Sequence, residues 1–302
     1  MRLAYLVFAY KNPRLLEKTI AALSFQDSQF FVHIDRKSSI KEFARMRQAN
    51  VLFAEERIPV QWAEFSGVEA ILQLIRQALA AGQEFDYLVL LSGSEYPLRS
   101  ARYIQSFFGL NPEAEYINVT RVPNERAGKP LARINSVYPP SSKPVRRFVA
   151  RSAARFGFGQ RDYRDYLGGL EPYAGSTWWA LTKRACEYIV TFMERNPGVV
   201  EFFREVFAPE EALVHTILGN SSFASRIRRN VLYEDWSAGG AHPAYIDLHH
   251  LRRFEVGRGV YLSDVYGSGE MLFARKFSDE SLSLLVRMDE IALAKGDALA
   301  LA

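Results

Sequence analysis

The stretch Phe207-Ala208-Pro209-Glu210-Glu211-Ala212-Leu213-Val214-His215 sets two adjacent carboxylates ahead of an apolar run. A carboxylate so placed could serve as a general base, yet Pro followed by two Glu is also an ordinary helix start. Successive helical residues point about 100° apart, so only one of the two glutamates can face a given cleft. Glu211 and His215 stand four apart on one helical face, which offers a metal two ligands but no further partners. Glu64 and Glu95 are the other acids beside apolar runs. Glu95 has no second carboxylate nearby, and Mg²⁺ or Mn²⁺ wants an oxygen-rich shell, so a divalent ion would be poorly held there. If the chemistry released a diphosphate, its charge would fall to Lys or Arg. Arg252-Arg253 and Arg275-Lys276 are the candidates, and a solvated basic surface accounts for them equally well. Trp62, Trp178, Trp179 and Trp236 could stack on sugars, although core packing is the better reading of each taken singly.

Motifs that would fix a different chemistry are missing. No Gly-x-Gly-x-x-Gly follows a strand, no Walker A run is present, and no Ser sits in a nucleophile elbow. Tyr266-Gly267-Ser268-Gly269 reads as a turn, and the five histidines lack metal-binding spacing, His249-His250 reading as surface loop residues. The single Cys186 excludes an internal disulfide and suits a reducing, cytoplasmic compartment.

The elements that must position these residues alternate along the first half. Strands are expected at Leu3–Tyr10, Phe30–Asp35, Val51–Ala54, Tyr87–Ser92 and Tyr116–Thr120, with helices at Pro13–Leu23 and Phe65–Ala80. Near-continuous apolar strands between helices indicate a mainly parallel sheet covered on both faces, with ligands at the carboxyl ends of its strands. That puts Ala9-Tyr10, His33-Ile34-Asp35 and Ser92-Gly93-Ser94-Glu95 along one edge, where a nucleotide is expected. In the second half a strand is expected at Thr177–Leu181 and helices at Lys183–Arg195, Gly198–Val206, Pro209–Leu218 and Glu280–Ala294. Ser225–Asp235 reads as an extended segment.

The net charge of +4 suits anionic partners without choosing among them. Lys143, Arg146, Arg147, Arg151, Arg155, Arg161 and Arg164 form the one concentration. The segment 143–159 reads as a mobile basic loop or lid, or as a face resting on the inner surface of an anionic membrane. Acidic and aromatic residues elsewhere dilute the charge and no recognition motif appears, so nucleic acid is not expected as a partner.

Eight segments in order resemble the core-2/I-branching family of glycosyltransferases, which includes β-1,6-N-acetylglucosaminyltransferases and peptide O-xylosyltransferases. They are Ala4–Leu16, Phe31–Ser38, Trp62–Leu79, Tyr87–Leu98, Gly175–Leu181, Ala208–Asn220, Tyr233–Pro243 and Leu272–Phe277. The resemblance implies a single α/β, GT-A-like domain: 1–120 a nucleotide-binding half, 121–170 the basic region, 171–302 the acceptor and catalytic half. It implies an inverting transfer of GlcNAc or xylose from a UDP-sugar to a glycan or glycoconjugate hydroxyl, with no metal and no other cofactor. The family's Ser-Pro-Asp-Glu motif ends on Glu211, which makes that residue the general base. The family lysine of Phe-Ala-x-Lys falls on Lys276, and a second basic contact to the diphosphate falls on Arg253, or on Arg252 with a shifted gap. Asp35 would contact uracil, with Val7 and Ala9 nearby, and Glu95, Trp178, Asp235 and Trp236 would face acceptor or sugar. The family's Ser and Asp are replaced by Ala208 and Glu210, a Trp-Gly-Gly of bacterial members by Trp62-Ala63-Glu64, and the Asp of its Ser-Gly-x-Asp loop by Glu95. The rival reading is a catalytically inactive carbohydrate- or nucleotide-sugar-binding protein of the same fold. Retention of Glu211, Lys276 and the Arg pair speaks against it.

Overall fold

The computed structural model describes residues 1–46, 48–142, 144–155, 159–240 and 242–296, with backbone only at 147, 150, 151 and 153–155. The first half builds β1 (Leu3–Ala9), α1 (Pro13–Leu23), β2 (Gln29–Ile34), β3 (Val51–Phe53), α2 (Ser66–Leu79), β4 (Tyr87–Ser92), β5 (Glu95–Pro97), α3 (Ala101–Leu110) and β6 (Glu115–Arg121). After α4 (Ala132–Asn135) and α5 (Pro144–Arg155) come β7 (Tyr173–Thr182), α6 (Lys183–Arg195), α7 (Pro197–Phe203) and α8 (Leu213–Gly219). The chain continues through β8 (Ile227–Arg228), β9 (Leu232–Glu234), α9 (Leu248–Glu255), β10 (Val260–Asp264), β11 (Gly267–Met271), β12 (Phe273–Arg275) and α10 (Leu282–Ala294).

Seven strands form one sheet in the order β3-β2-β1-β4-β7-β6-β8. β1, β2, β3 and β4 run parallel, and β7 lies antiparallel between β4 and β6. This is the α/β, GT-A-like arrangement that the resemblance implies. Its physical origin is legible in β1, where every residue but Phe8 is buried. Successive strand residues point to opposite faces. Ala4 and Leu6 therefore join the cluster under α2, α6 and α8, while Leu3, Tyr5, Val7 and Ala9 join the cluster under α1 and α3. β4 divides the same way, Leu88 and Leu90 to one face and Tyr87, Val89 and Leu91 to the other. Each of the leucines and valines among them contributes roughly 1.5–3 kcal/mol through burial, which fixes the register of the central strands.

The second half departs from the expected elements. Pro209–Leu218 is not one helix: Pro209–Glu211 is a 3-10 turn, and Ala212 at φ −136 breaks it from α8. Ser225–Asp235 is a 3-10 turn and two short strands, β8 and β9, in different sheets. The residues 266–269 are more than a turn, since they close the hairpin β10–β11. A three-stranded sheet β5-β12-β9, covered by α9 and α10, makes a third apolar cluster. The basic segment holds the helix α5 where a loop was expected; Lys143 and residues 156–158 lie outside the described residues.

Candidate active site

The carboxyl ends of β1, β2 and β4 open onto a cleft of about 1290 Å³, with the Pro209–Glu211 turn and the β10–β11 hairpin also on its wall. Pockets for one small molecule run to roughly 300–1,000 Å³, so this volume suits two partners held together.

The sheet side is built from backbone as much as from side chains. Ala9, Tyr10, Lys11, Asp35, Ser92, Gly93 and Ser94 line it, as the strand-end argument expects. Asp35 donates its N–H to Ala9 O at 2.8 Å and accepts from Lys37 N at 2.8 Å, so its carboxylate is held at the strand end. Asn12, in the left-handed region at φ 60, donates to Gly93 O at 3.2 Å and to Ser94 Oγ at 3.1 Å, tying the loops after β1 and β4 together. A side chain at Gly93 would meet Ala9 Cβ and Lys11 O at 3.1 Å, so glycine keeps these loops close. Val7 does not line the cleft; at 2% exposure it faces the core, two residues before the strand end at Ala9. His33 is fully buried and accepts from Ile58 N at 2.8 Å, with burial pushing its ring down to about 4.

Lys276 lines the cleft with its side chain largely buried, its Nζ 5.3 Å from the Tyr245 ring centroid. Among the described residues it makes no ion pair, and burial, then Arg275 and Lys11, lower its hold on its proton. A buried cation without a carboxylate partner carries an uncompensated desolvation cost, which an anion in the cleft would relieve. Arg275 is otherwise engaged: its Nη1 donates to Glu95 Oε1 at 2.8 Å and Ser92 Oγ at 3.0 Å, and its guanidinium lies 4.6 Å from the Trp178 ring centroid. Glu95 is thereby spent on structure, accepting also from Ser92 N at 2.6 Å, and is not among the lining residues. Arg252 and Arg253 lie on α9 and are not among the described residues that line the cleft; Arg253 Nη1 donates to Tyr233 Oη at 3.4 Å.

The opposite wall carries Glu211. Its Oε2 accepts from Lys129 Nζ at 2.6 Å and from Arg133 Nη2 at 2.5 Å. Lys129 also donates to Gly175 O at 2.8 Å, and Arg133 lies over the Phe207 ring at 5.4 Å. A Cβ at Gly175 would fall 1.5 Å from Asn118 O, so only glycine lets β7 approach β6 here. The turn that carries Glu211 is pinned from outside: Ala208 N donates to Ala63 O at 3.1 Å, and both alanines sit in the left-handed region, at φ 50 and 59. Such conformations cost alanine roughly 1–2 kcal/mol each and persist only where packing over-determines them. Glu210 lines the cleft as well, although regular helix spacing would let only one of the pair face it; its Oε2 has no partner among the described residues, and burial pushes its carboxyl up to about 7. Burial likewise raises Glu234, 3.6 Å from Arg275, to about 7. Glu64 is buried and accepts from Ser141 N at 2.9 Å.

His215 does not share a face with Glu211, because the break at Ala212 intervenes; it is fully buried, bonded to Ser176 O at 2.9 Å, and pushed down to about 3 by burial. Asp235 is not a lining residue either. Hydrogen bonds from Ser237 and then His250 hold it down at about 2. His250 is buried, not a surface loop residue, and bridges Asp235 at 2.9 Å to Asp247 at 2.7 Å, where it completes the N-terminal cap of α9. Of the tryptophans, only Trp179 is core, at 3% exposure. Trp62 and Trp236, 72% and 51% exposed, stand at the cleft with the half-buried Trp178.

Sequence reasoning missed Lys129, Arg133, Asn12 and Tyr266 as lining or supporting residues. No local spacing marks them, since Lys129 and Arg133 meet Glu211 across 82 and 78 residues. Among the described residues no group of three or more His, Cys, Asp or Glu could hold a metal ion.

Compared with known proteins, residues 3–256 match the model of the Core-2/I-Branching enzyme family. Xylosyltransferase 2 of Rattus norvegicus is 24% identical over 247 residues, covering 78% of this chain and 27% of its own length. Xylosyltransferase 1 of Homo sapiens is 22% identical over 247 residues, covering 78% and 24%. The chain thus spans about a quarter of the length of these curated relatives. The crystal structure of mouse xyloside xylosyltransferase 1 in its apo form aligns with a TM-score of 0.39 and 10% identity, over 91% of this chain and 97% of that one.

Proposed function

The chain belongs to the Core-2/I-branching enzyme family, and from that premise we propose that it is an inverting glycosyltransferase using a UDP-sugar without a metal ion. The whole chain is read as one catalytic domain. The observation that carries the reading is that Glu211, paired with Lys129 and Arg133, shares one cleft with the anion-ready Lys276. In this reading the nucleotide lies along Ala9, Asp35 and Gly93, with its diphosphate at Lys276. The hydrogen bonds from Lys129 and Arg133 fix the Glu211 carboxylate in place at the cleft wall, and positioning is the first requirement of a general base. Glu211 takes the proton of an acceptor hydroxyl as that oxygen bonds to the anomeric carbon. The bond from that carbon to the diphosphate breaks on the opposite face, and UDP leaves with the electron pair. Lys276 stabilises the developing charge, with Lys11 and Arg275 adding to the local field. Trp62 and Trp236 offer exposed faces for the sugars of a glycan or glycoconjugate acceptor.

Xylose is the first donor sugar to test, given the names of the relatives, and GlcNAc the second. The test is calorimetric titration with UDP-xylose, UDP-GlcNAc and UDP-glucose, followed by UDP release to water or acceptor with and without excess chelator. Binding of one UDP-sugar with chelator-insensitive UDP release is expected. Binding with no release would make the chain a binding protein of this fold, and release abolished by chelator would refute the metal-free arrangement.

A further inference from the structure

One surface is left over once the cleft is assigned. α5 leaves Val145, Phe148 and Val149 exposed at 77%, 71% and 58%. At about 100° per residue these three, with Ser152, fall within one arc of roughly a third of the helix. The sequence of the helix also carries four arginines, at 146, 147, 151 and 155, and no acidic residue occurs between Arg126 and Arg161. A soluble surface has no use for such a stripe, whose large apolar side chains neither join the clusters of the body nor scatter singly. The helix is nevertheless anchored. Arg146 Nη2 donates to Glu205 Oε2 at 3.0 Å, and the chain on either side is joined by the bridge Ser136–Gln160.

We propose that α5 is a surface-seeking helix that lies in the headgroup layer of an anionic bilayer, its valines and Phe148 inserted and the net positive charge of its sequence drawing it to the lipid phosphates. Apolar insertion and charge attraction add for a helix of this pattern, and neither suffices alone. The segment leading into α5 touches the cleft: the Tyr138 ring packs on Phe207 at 5.2 Å, and Phe207 on Trp62 at 5.5 Å. A chain docked through α5 therefore holds its cleft close to the lipid surface.

The test is co-sedimentation of the full chain with phosphatidylglycerol/phosphatidylcholine vesicles and with phosphatidylcholine alone. Binding to the anionic vesicles only, weakened by salt, is expected. Phe148→Asp with Val149→Asp should reduce partitioning at least tenfold, and Arg147→Ala with Arg151→Ala roughly fivefold per arginine. The Asp pair should leave the unfolding midpoint and UDP-sugar hydrolysis unchanged, because Phe148 and Val149 are exposed and do not line the cleft. No sedimentation with anionic vesicles overturns the proposal. So does sedimentation that the Asp pair leaves unchanged, or a nucleic-acid duplex that binds the wild type and the Asp pair alike and more tightly than the vesicles do.

Discussion

Glu211→Gln keeps the shape of the side chain and removes its charge, and the structure gives that change two separable sizes. The carboxylate is met by Lys129 at 2.6 Å and Arg133 at 2.5 Å, with side-chain exposures of 10% and 15% against 30% for Glu211 itself. The amide oxygen of Gln can still accept from one of the two cations. The loss is therefore about one charge-assisted hydrogen bond, roughly 1.5–3 kcal/mol before screening. Because Glu211 is nearly a third exposed, about 1 kcal/mol is the better expectation. For a chain of this size that lowers the unfolding midpoint by roughly 2–4 °C. Loss of a general base costs far more on the reaction coordinate, about 10²–10⁴ in rate. The assay is kcat for UDP release, with UDP affinity by calorimetry and the midpoint by calorimetric scanning. We expect kcat to fall at least a hundredfold while UDP affinity stays within about twofold. A variant that turns over within tenfold of the wild type would refute the base assignment. A loss of activity accompanied by a collapse of the midpoint would instead show that Glu211 is structural.

Lys276→Met should weaken UDP binding by roughly 10–100-fold, the range for a lost hydrogen bond to a charged group, while uridine binding changes little. An equal loss for uridine would mean that Lys276 shapes the pocket and does not meet the diphosphate. The pH dependence of stability carries a further prediction through His33, pushed down to about 4 by burial. Below about 6.5 the unfolded chain takes up a proton that the folded chain refuses until about 4. Stability is thus lost as the pH falls through that window, by about 3 kcal/mol from this residue. His33→Gln should flatten the acid limb of a midpoint-against-pH curve relative to wild type, and an unchanged limb would show that His33 does not stay neutral.

The sequence by itself determined the framework of the first half. β1, α1, β4 and α6 are recoverable from apolar runs and helical periodicity, with Pro13 at a helix start, because burial on a covered sheet is patterned along the local chain. It also determined which strand ends face the cleft, since parallel strands carry their ligands at one edge, and it marked Glu211 and Lys276 through the order of its motifs. Tertiary structure decided the rest, and for a common reason: charge pairing and backbone strain are set by residues distant in sequence. Glu95 and Glu211 look alike in sequence as acids beside apolar runs. Arg275 withdraws the first into a structural pair, while Lys129 and Arg133 hold the second in the cleft. The break at Ala212 parts Glu211 from His215, and the bond between Ala208 and Ala63 sets the angle at which the turn meets the cleft. Trp62 and Trp236 are exposed at the cleft against the prior for tryptophan, on segments outside the strands and helices. Periodicity reports which face of an element is dry; which side chain ends beside which, across 80 residues, is a property of the packed chain alone.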